Sequence, residues 1–232
     1  MIKKILGHHS CNDSGSFRQN LLCRIHSLWL IKALGVMGGI ALFFVGYFHF
    51  QAHQYFTITP LHFSNIDMLI PFHISFLYIY LSLWIYIGLT PNLMKNFREL
   101  LFYGFYALLL GVIGMLFYAF FPTIIVQDIE SWRGIPQMME LKKSDTGGNA
   151  FPSLHVAFAL FGFIWLREQL MQMKSPLIFY IISGLWATGI IYSTLAIKQH
   201  LILDAVGGIV LGSIVGWISI VHYKNRIRVL RS

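Results

Sequence analysis

Charge is scarce in this chain. Only 11% of its 232 residues are Asp, Glu, Lys or Arg, against 56% hydrophobic. Soluble domains carry about 25% charged residues, so a wholly aqueous globular fold is excluded. No segment alternates apolar and polar residues over the length of a barrel strand, so strands are not expected. No apolar core follows Lys4 closely enough for a cleaved secretory signal, and the first apolar span is expected to be retained. Cysteine is nearly missing, with only Cys11 and Cys23.

What is present is a series of apolar runs near the roughly 20 residues that a helix needs to cross a hydrocarbon core. Six are expected: Leu28–Phe50, Leu69–Leu89, Leu100–Phe121, Phe151–Leu166, Pro176–Ile197 and Leu201–His222. The fourth is short and borrows from its flanks, and the sixth contains Asp204. The expected fold is therefore an all-α integral membrane protein with six transmembrane helices. Residues 1–27 form a polar, basic segment, 28–222 one membrane domain, and 223–232 a basic tail. The connection Pro122–Ala150 is read as one extramembrane loop.

Basic residues set the expected orientation. With the N-terminus inside, thirteen Lys and Arg fall on the cytosolic side, and only Arg133, Lys142, Lys143 and Lys198 fall outside. This positive-inside bias puts both termini in the cytosol. The net charge of +8 then reflects the bias and contact with anionic lipid, and no nucleic-acid partner is implied. Residues 1–27 read as a solvated, flexible segment on the membrane surface. There, a disulfide between Cys11 and Cys23 is not expected. His8, His9 and His26 lie nearby without zinc spacing, so no metal site is assigned.

Two polar motifs interrupt the apolar pattern between residues 147 and 204. The first is Gly147-Gly148-Asn149-Ala150-Phe151-Pro152-Ser153-Leu154-His155, at the outer end of the fourth span. Pro152 suits a first helical turn, after a flexible approach with a possible cap at Gly147–Asn149. A helix running inward from there turns its free N–H groups and positive dipole end to the outer surface, where an anion is stabilised. The second motif is Ser193-Thr194-Leu195-Ala196-Ile197-Lys198-Gln199-His200, followed by Asp204. His200 and Asp204 stack on one helical face, and Gly208, Gly212 and Gly216 continue it at the same interval. Such a small-residue stripe marks close helix packing, so both polar residues are expected to point into the bundle. His155 heads a similar stripe with Ala159 and Gly162. The two histidines are expected to face each other across one outward-opening cavity.

Pro-Ser-x-His followed by Ser-x6-His-x3-Asp resembles the type 2 phosphatidic acid phosphatase superfamily. Its members are metal-independent phosphohydrolases and lipid phosphotransferases related to vanadium haloperoxidases. The resemblance covers about the last 85 residues and the six-span layout. It implies that His200 attacks phosphorus, forming a phosphohistidine, while Asp204 fixes the other ring nitrogen. It further implies that His155 protonates the departing alkoxide and then deprotonates the acceptor. Ser153, with neighbouring backbone N–H groups, would cradle phosphate oxygens. No metal or other cofactor is implied. The substrate would be a lipid phosphate or phospholipid in the bilayer, and the expected location is a bacterial inner membrane with the site on its outer side.

The family's phosphatases usually carry Lys-x6-Arg-Pro before the first motif and Ser-Arg at the head of the second. Here Lys142 is followed at the matching offset by Asn149-Ala150, and Ser193 by Thr194. Two phosphate-gripping arginines are missing. Lys142, Lys143, Arg133 and Lys198 are the outer-side cations that could substitute, although lysine lacks the bidentate fork of arginine. Leu154 stands where phosphatases commonly have glycine. Ser-Leu-His with an arginine-poor second motif looks more like the sphingolipid synthase and inositol phosphorylceramide synthase branch, which passes a phosphorylated head group to a lipid alcohol. Ser153, Leu154, Ser193, Thr194, Lys142 and Lys143 are thus the expected substrate-binding residues. Hydrolysis of a lipid phosphate is the favoured activity and head-group transfer the alternative. A non-catalytic transporter or scaffold on the same fold is the third reading, and its sign would be a missing triad member.

Overall fold

The computed structural model describes residue 11 and residues 15–126, 134–144 and 147–229. Within these the chain forms ten helices and two short strands. They are α1 (Phe17–His26), α2 (Trp29–Ala52), β1 (Thr59–Leu61), α3 (Asn65–Leu69), α4 (Phe76–Leu81), α5 (Leu83–Asn92), α6 (Phe97–Phe120), β2 (Thr123–Ile125), α7 (Pro136–Ser144), α8 (Leu154–Gln172), α9 (Leu177–Ala196) and α10 (Ile202–Val229).

Local chemistry sets the helix starts. Ser16 and Gln19 form a capping box on α1, and Ser64 and Asp67 form one on α3. The side chains of Asn96 and Ser153 accept the N3 amides of α6 and α8. Each satisfies an amide that the helix itself leaves without a partner.

Five helices are long and apolar enough to cross a membrane: α2, α6, α8, α9 and the first 25 residues of α10. The expected second span, Leu69–Leu89, is instead divided into the end of α3 and the two short helices α4 and α5. The break falls at Ser82, whose hydroxyl donates to the Ile79 carbonyl at 2.6 Å. That bond competes with the helical ladder, and Trp186 Nε1 fixes the hydroxyl from α9 at 2.8 Å.

Other expectations are also corrected. Two three-residue strands exist, paired in parallel with Thr59 opposite Thr123 and Leu61 opposite Ile125. They join the segment that follows α2 to the segment that follows α6. The segment Pro122–Ala150 holds β2 and α7 rather than loop alone. Pro152 precedes the helix, after a cis Phe151–Pro152 bond, and the cap is Ser153 rather than Asn149. Cys11 and Cys23 are joined in a disulfide, with Cα atoms 5.9 Å apart. The expectation rested on compartment alone, whereas residue 11 lies alongside the second half of α1. Disulfides persist in oxidising compartments, so this bond and the positive-inside count point to opposite sides for the N-terminal segment.

The described part of residues 1–27 is not wholly solvated: Cys11, Asn20, Arg24 and Ser27 are buried, while one face of α1 stays exposed. Arg24 is fully buried and donates to the Leu93 carbonyl (3.2 Å), Gln169 Oε1 (2.5 Å) and Gln172 Oε1 (3.2 Å). Lys32 Nζ donates to the Arg24 carbonyl at 2.5 Å and the Asn92 carbonyl at 3.0 Å. These bonds satisfy buried cations that would otherwise be costly. At the other end of the chain, α10 continues past residue 222, with Tyr223 buried and Lys224 paired to Glu168 at 2.7 Å.

α8 is the most enclosed span, wrapped by α5, α6, α9 and α10. Its closest neighbour is α10, and the glycine stripe is the reason. A Cβ on Gly208 would stand 2.4 Å from the Ser153 carbonyl oxygen, one on Gly212 2.5 Å from that of Ala157, and one on Gly216 2.6 Å from Ile164 Cδ1. At Gly208 and Gly212 the opposing backbone cannot move aside as a flexible side chain can, so larger residues are excluded there. The second small-residue stripe admits α5: Gly162 faces Tyr86 and Thr90, and the Thr90 hydroxyl donates to the Gly162 carbonyl at 3.3 Å. By contrast, α2 presents Leu34, Met37 and Val45 outward, as a lipid-facing helix does.

Two tests follow from this packing. Gly212→Leu should destabilise the bundle by at least about 1–3 kcal/mol, the usual cost of overpacking, while Gly39→Leu, with nothing within 4 Å of its Cβ, should be near neutral. Equal thermal unfolding of the two variants in detergent would refute the α8–α10 contact. For orientation, Gln137→Cys on the exposed face of α7, with Cys11 and Cys23 replaced by Ser, should be labelled by an impermeant thiol reagent from outside. Labelling only after the cytosolic face is opened would invert the topology.

Candidate active site

The two motifs meet through their backbones. The Ser153 amide donates to the Asp204 main-chain carbonyl at 3.0 Å, joining the start of α8 to the first turn of α10. The approach to Ser153 is held from the other side. Gly147, at φ 82°, offers its carbonyl to the Ile125 amide at 3.0 Å, and Gly148 bridges to Ile124. The Thr123 hydroxyl accepts the amides of Ala150 and Phe151 at 3.1 and 3.0 Å. Tyr118 donates to the Pro152 carbonyl at 3.0 Å. A segment with two glycines is thereby fixed in place.

His155 and His200 line the same cavity, of about 900 Å³, bounded by α2, α4, α5, α6 and α8. Its wall runs from Ile31 and Phe97, at the starts of α2 and α6, to His155, Asn149 and His200 at the far end. The volume lies at the upper end of small-molecule sites, and apart from that far end the lining is almost wholly apolar.

His200 stands in the turn between α9 and α10, which the Thr194 carbonyl organises by accepting the amides of Gln199 (3.0 Å) and His200 (3.1 Å). Its Nδ1 faces the fully buried Asp204, 3.7 Å from Oδ2. That is longer than a hydrogen bond, and Oδ2 already accepts the Leu201 amide at 2.8 Å. With Nδ1 turned to the carboxylate, Nε2 is the ring atom left for the cavity. His155 lies under the Tyr80 ring, with centroids 3.9 Å apart and planes 9° from parallel. Its Nε2 sits 3.0 Å from the Tyr80 carbonyl, which fixes that nitrogen as the donor and leaves Nδ1 for proton exchange.

The remaining expected site residues are placed less directly. The Ser153 side chain is fully buried and caps α8, accepting the Val156 amide at 3.3 Å. Leu154 lines the cavity and packs over Gly114. Ser193 and Thr194 are fully buried, and their hydroxyls donate to carbonyls of their own helix, Ile190 at 2.6 Å and Ile191 at 2.8 Å. On α7, Lys143 is exposed and paired with Glu140, while Lys142 is half-buried beside the cavity-lining Leu141. Lys198 donates to the Asp67 and Ile70 carbonyls at 2.7 and 2.5 Å. Arg133 lies outside the described residues. Among the described residues no three His, Cys, Asp or Glu side chains gather as a metal-binding group. Asn149, within the first motif, also lines the site, and Tyr80 does so without any motif to announce it.

The arrangement is thus two histidines at the polar end of an apolar cavity, with a carboxylate behind one of them. Residues 34–228 match the PAP2 superfamily, and the chain belongs to that superfamily. No curated protein and no solved structure matches it.

Proposed function

We propose that the protein hydrolyses a lipid phosphate ester through a phosphohistidine on His200, on the outer face of the membrane. The observation that carries this reading is the shared cavity: His155 and His200 stand at the polar end of a space whose remaining wall suits hydrocarbon. A phosphate head at that end would leave the lipid tail among the residues of α2, α5 and α6. The amide end of α8 supplies the positive dipole end that phosphate oxygens favour.

In the first step His200 Nε2 attacks phosphorus in line with the ester oxygen, and the P–O bond to the lipid breaks. The electron pair leaves with the alkoxide, which takes a proton from His155 Nδ1. Asp204 stabilises the cationic ring of His200 from the Nδ1 side. In the second step water attacks phosphorus, its proton passes to His155, and the N–P bond breaks to release inorganic phosphate. His155 ends protonated, as it began. Positioning and charge stabilisation carry most of the rate in such transfers.

A second reading replaces water with a lipid alcohol. The absence of the two motif arginines and the cavity volume of about 900 Å³ favour it, since a donor and an acceptor must share the site.

Purified protein incubated with a panel of lipid phosphates, with and without acceptor lipids, should release inorganic phosphate. It should do so in EDTA and be inhibited by vanadate. A new phosphodiester lipid in place of free phosphate would favour transfer, and activity lost to EDTA and restored by a divalent metal would sink the histidine mechanism. In His155→Ala, an alkyl phosphate should suffer a rate loss at least about tenfold greater than p-nitrophenyl phosphate, whose leaving group needs little proton donation. Equal losses would remove His155 as the acid.

A further inference from the structure

The turn that carries His200 is fastened to a segment some 130 residues earlier in the chain. Four bonds make the attachment. The His73 amide donates to the Ala196 carbonyl at 3.0 Å. Lys198 Nζ reaches the Asp67 and Ile70 carbonyls at 2.7 and 2.5 Å. The Ile202 amide donates to Asp67 Oδ1 at 2.7 Å.

The last bond answers a specific shortage. The first amides of a helix have no intrahelical acceptor, and the residue just before α10 is Leu201, which has none to offer. Asp204 takes the Leu201 amide from within the helix. Asp67 takes the Ile202 amide from outside, doing the work of an N-cap side chain from a remote segment. Its other oxygen is held by the Ser64 amide at 2.8 Å and the Ser64 hydroxyl at 2.5 Å, so the carboxylate is itself oriented. Burial alone would raise the Asp67 carboxyl; the Ser64 hydroxyl and the amides of Ile202 and Ser64 outweigh it, with Lys198 adding, and hold the group below the ordinary carboxylate range. The group is therefore ionised at neutral pH, and its bond to Ile202 is charge-assisted.

We infer that Asp67, with Lys198, is a positioning residue: it locks the turn 198–202 so that the His200 ring stands correctly between Asp204 and the cavity. The inference rests on the proposed role of His200. Lys198, at φ 58°, is in a conformation that non-glycine residues rarely hold, and its two carbonyl bonds retain it. Neither Asp67 nor Lys198 lines the cavity. Their effect must therefore reach the substrate through the turn that carries the His200 ring.

The test compares Asp67→Ala, Asp67→Asn and Lys198→Met with the full-length protein in detergent. Asp67→Ala should lower kcat on p-nitrophenyl phosphate by about tenfold to a hundredfold, the cost of a small misplacement of a reacting group, with KM changed less than about twofold. Asp67→Asn keeps an acceptor for the Ile202 amide and should recover most of that loss, and Lys198→Met should fall between. Hydrogen exchange at residues 200–204 should quicken in Asp67→Ala while the middle of α8 stays protected. Unchanged kcat despite faster exchange would overturn the inference, as would a rise in KM alone. Equal loss in Asp67→Ala and Asp67→Asn would also overturn it. If the unaltered protein releases no phosphate, the hydrolytic reading fails by itself. Vanadate affinity, which needs no turnover, then decides the clamp: it should weaken about tenfold in Asp67→Ala and little in Asp67→Asn, and equal affinities in all forms would refute it.

Discussion

One backbone hydrogen bond, from the Ser153 amide to the Asp204 carbonyl at 3.0 Å, sets the spacing of everything at the site. It requires α8 and α10 to approach at main-chain distance, which in turn requires Gly208 and Gly212 where a Cβ would strike carbonyl oxygens. In a membrane, where apolar burial between helices gains little over lipid, such close packing is a main source of association. The small-residue stripe thus serves two ends. It holds the bundle together, and it brings the two polar motifs into register.

α8 is also held at its far end, where Gln169 and Gln172 accept from the buried Arg24, and Gln172 donates to Glu99 at 3.4 Å. Glu99 in turn accepts from Tyr223 of α10. A polar network at one end and the motif contact at the other fix the helix along its length. Between them α8 forms one wall of the cavity, while α2, exposed along most of its outward face, forms the wall nearest the lipid. Close packing near the histidines and exposure towards the bilayer suit the proposed function, in which a phosphate is held at one end and a long apolar group at the other.

The legible parts of this structure are those encoded by local periodicity. Five spans follow from apolar length alone, and the interval of four from Asp204 through Gly216 marks the α10 face that meets α8. His200, expected on the same helical face, lies instead in the turn before α10. The break at Ser82 was hidden because hydropathy sums side chains and ignores a hydroxyl competing for a backbone carbonyl. Compartment rules say nothing of the geometry that joins Cys11 to Cys23, and composition does not distinguish a basic surface segment from a helix with a buried Arg24. Tyr80 against His155 and Asp67 against Ile202 join residues 75 and 135 positions apart. No spacing rule within one helix reports such pairs. The lysines expected to replace the missing arginines illustrate the same limit, since Lys198 is occupied by two carbonyls and Lys143 by Glu140.

The central claim is that His200 becomes phosphorylated. The direct measurement is to mix the protein with a radiolabelled lipid phosphate, quench within milliseconds in base, and map the label by peptide sequencing. The expected result is one labelled site at His200, stable to base and lost in acid as a phosphoramidate must be, with more label retained in His155→Ala. Label on a serine or aspartate, or full turnover by His200→Ala, would contradict the account.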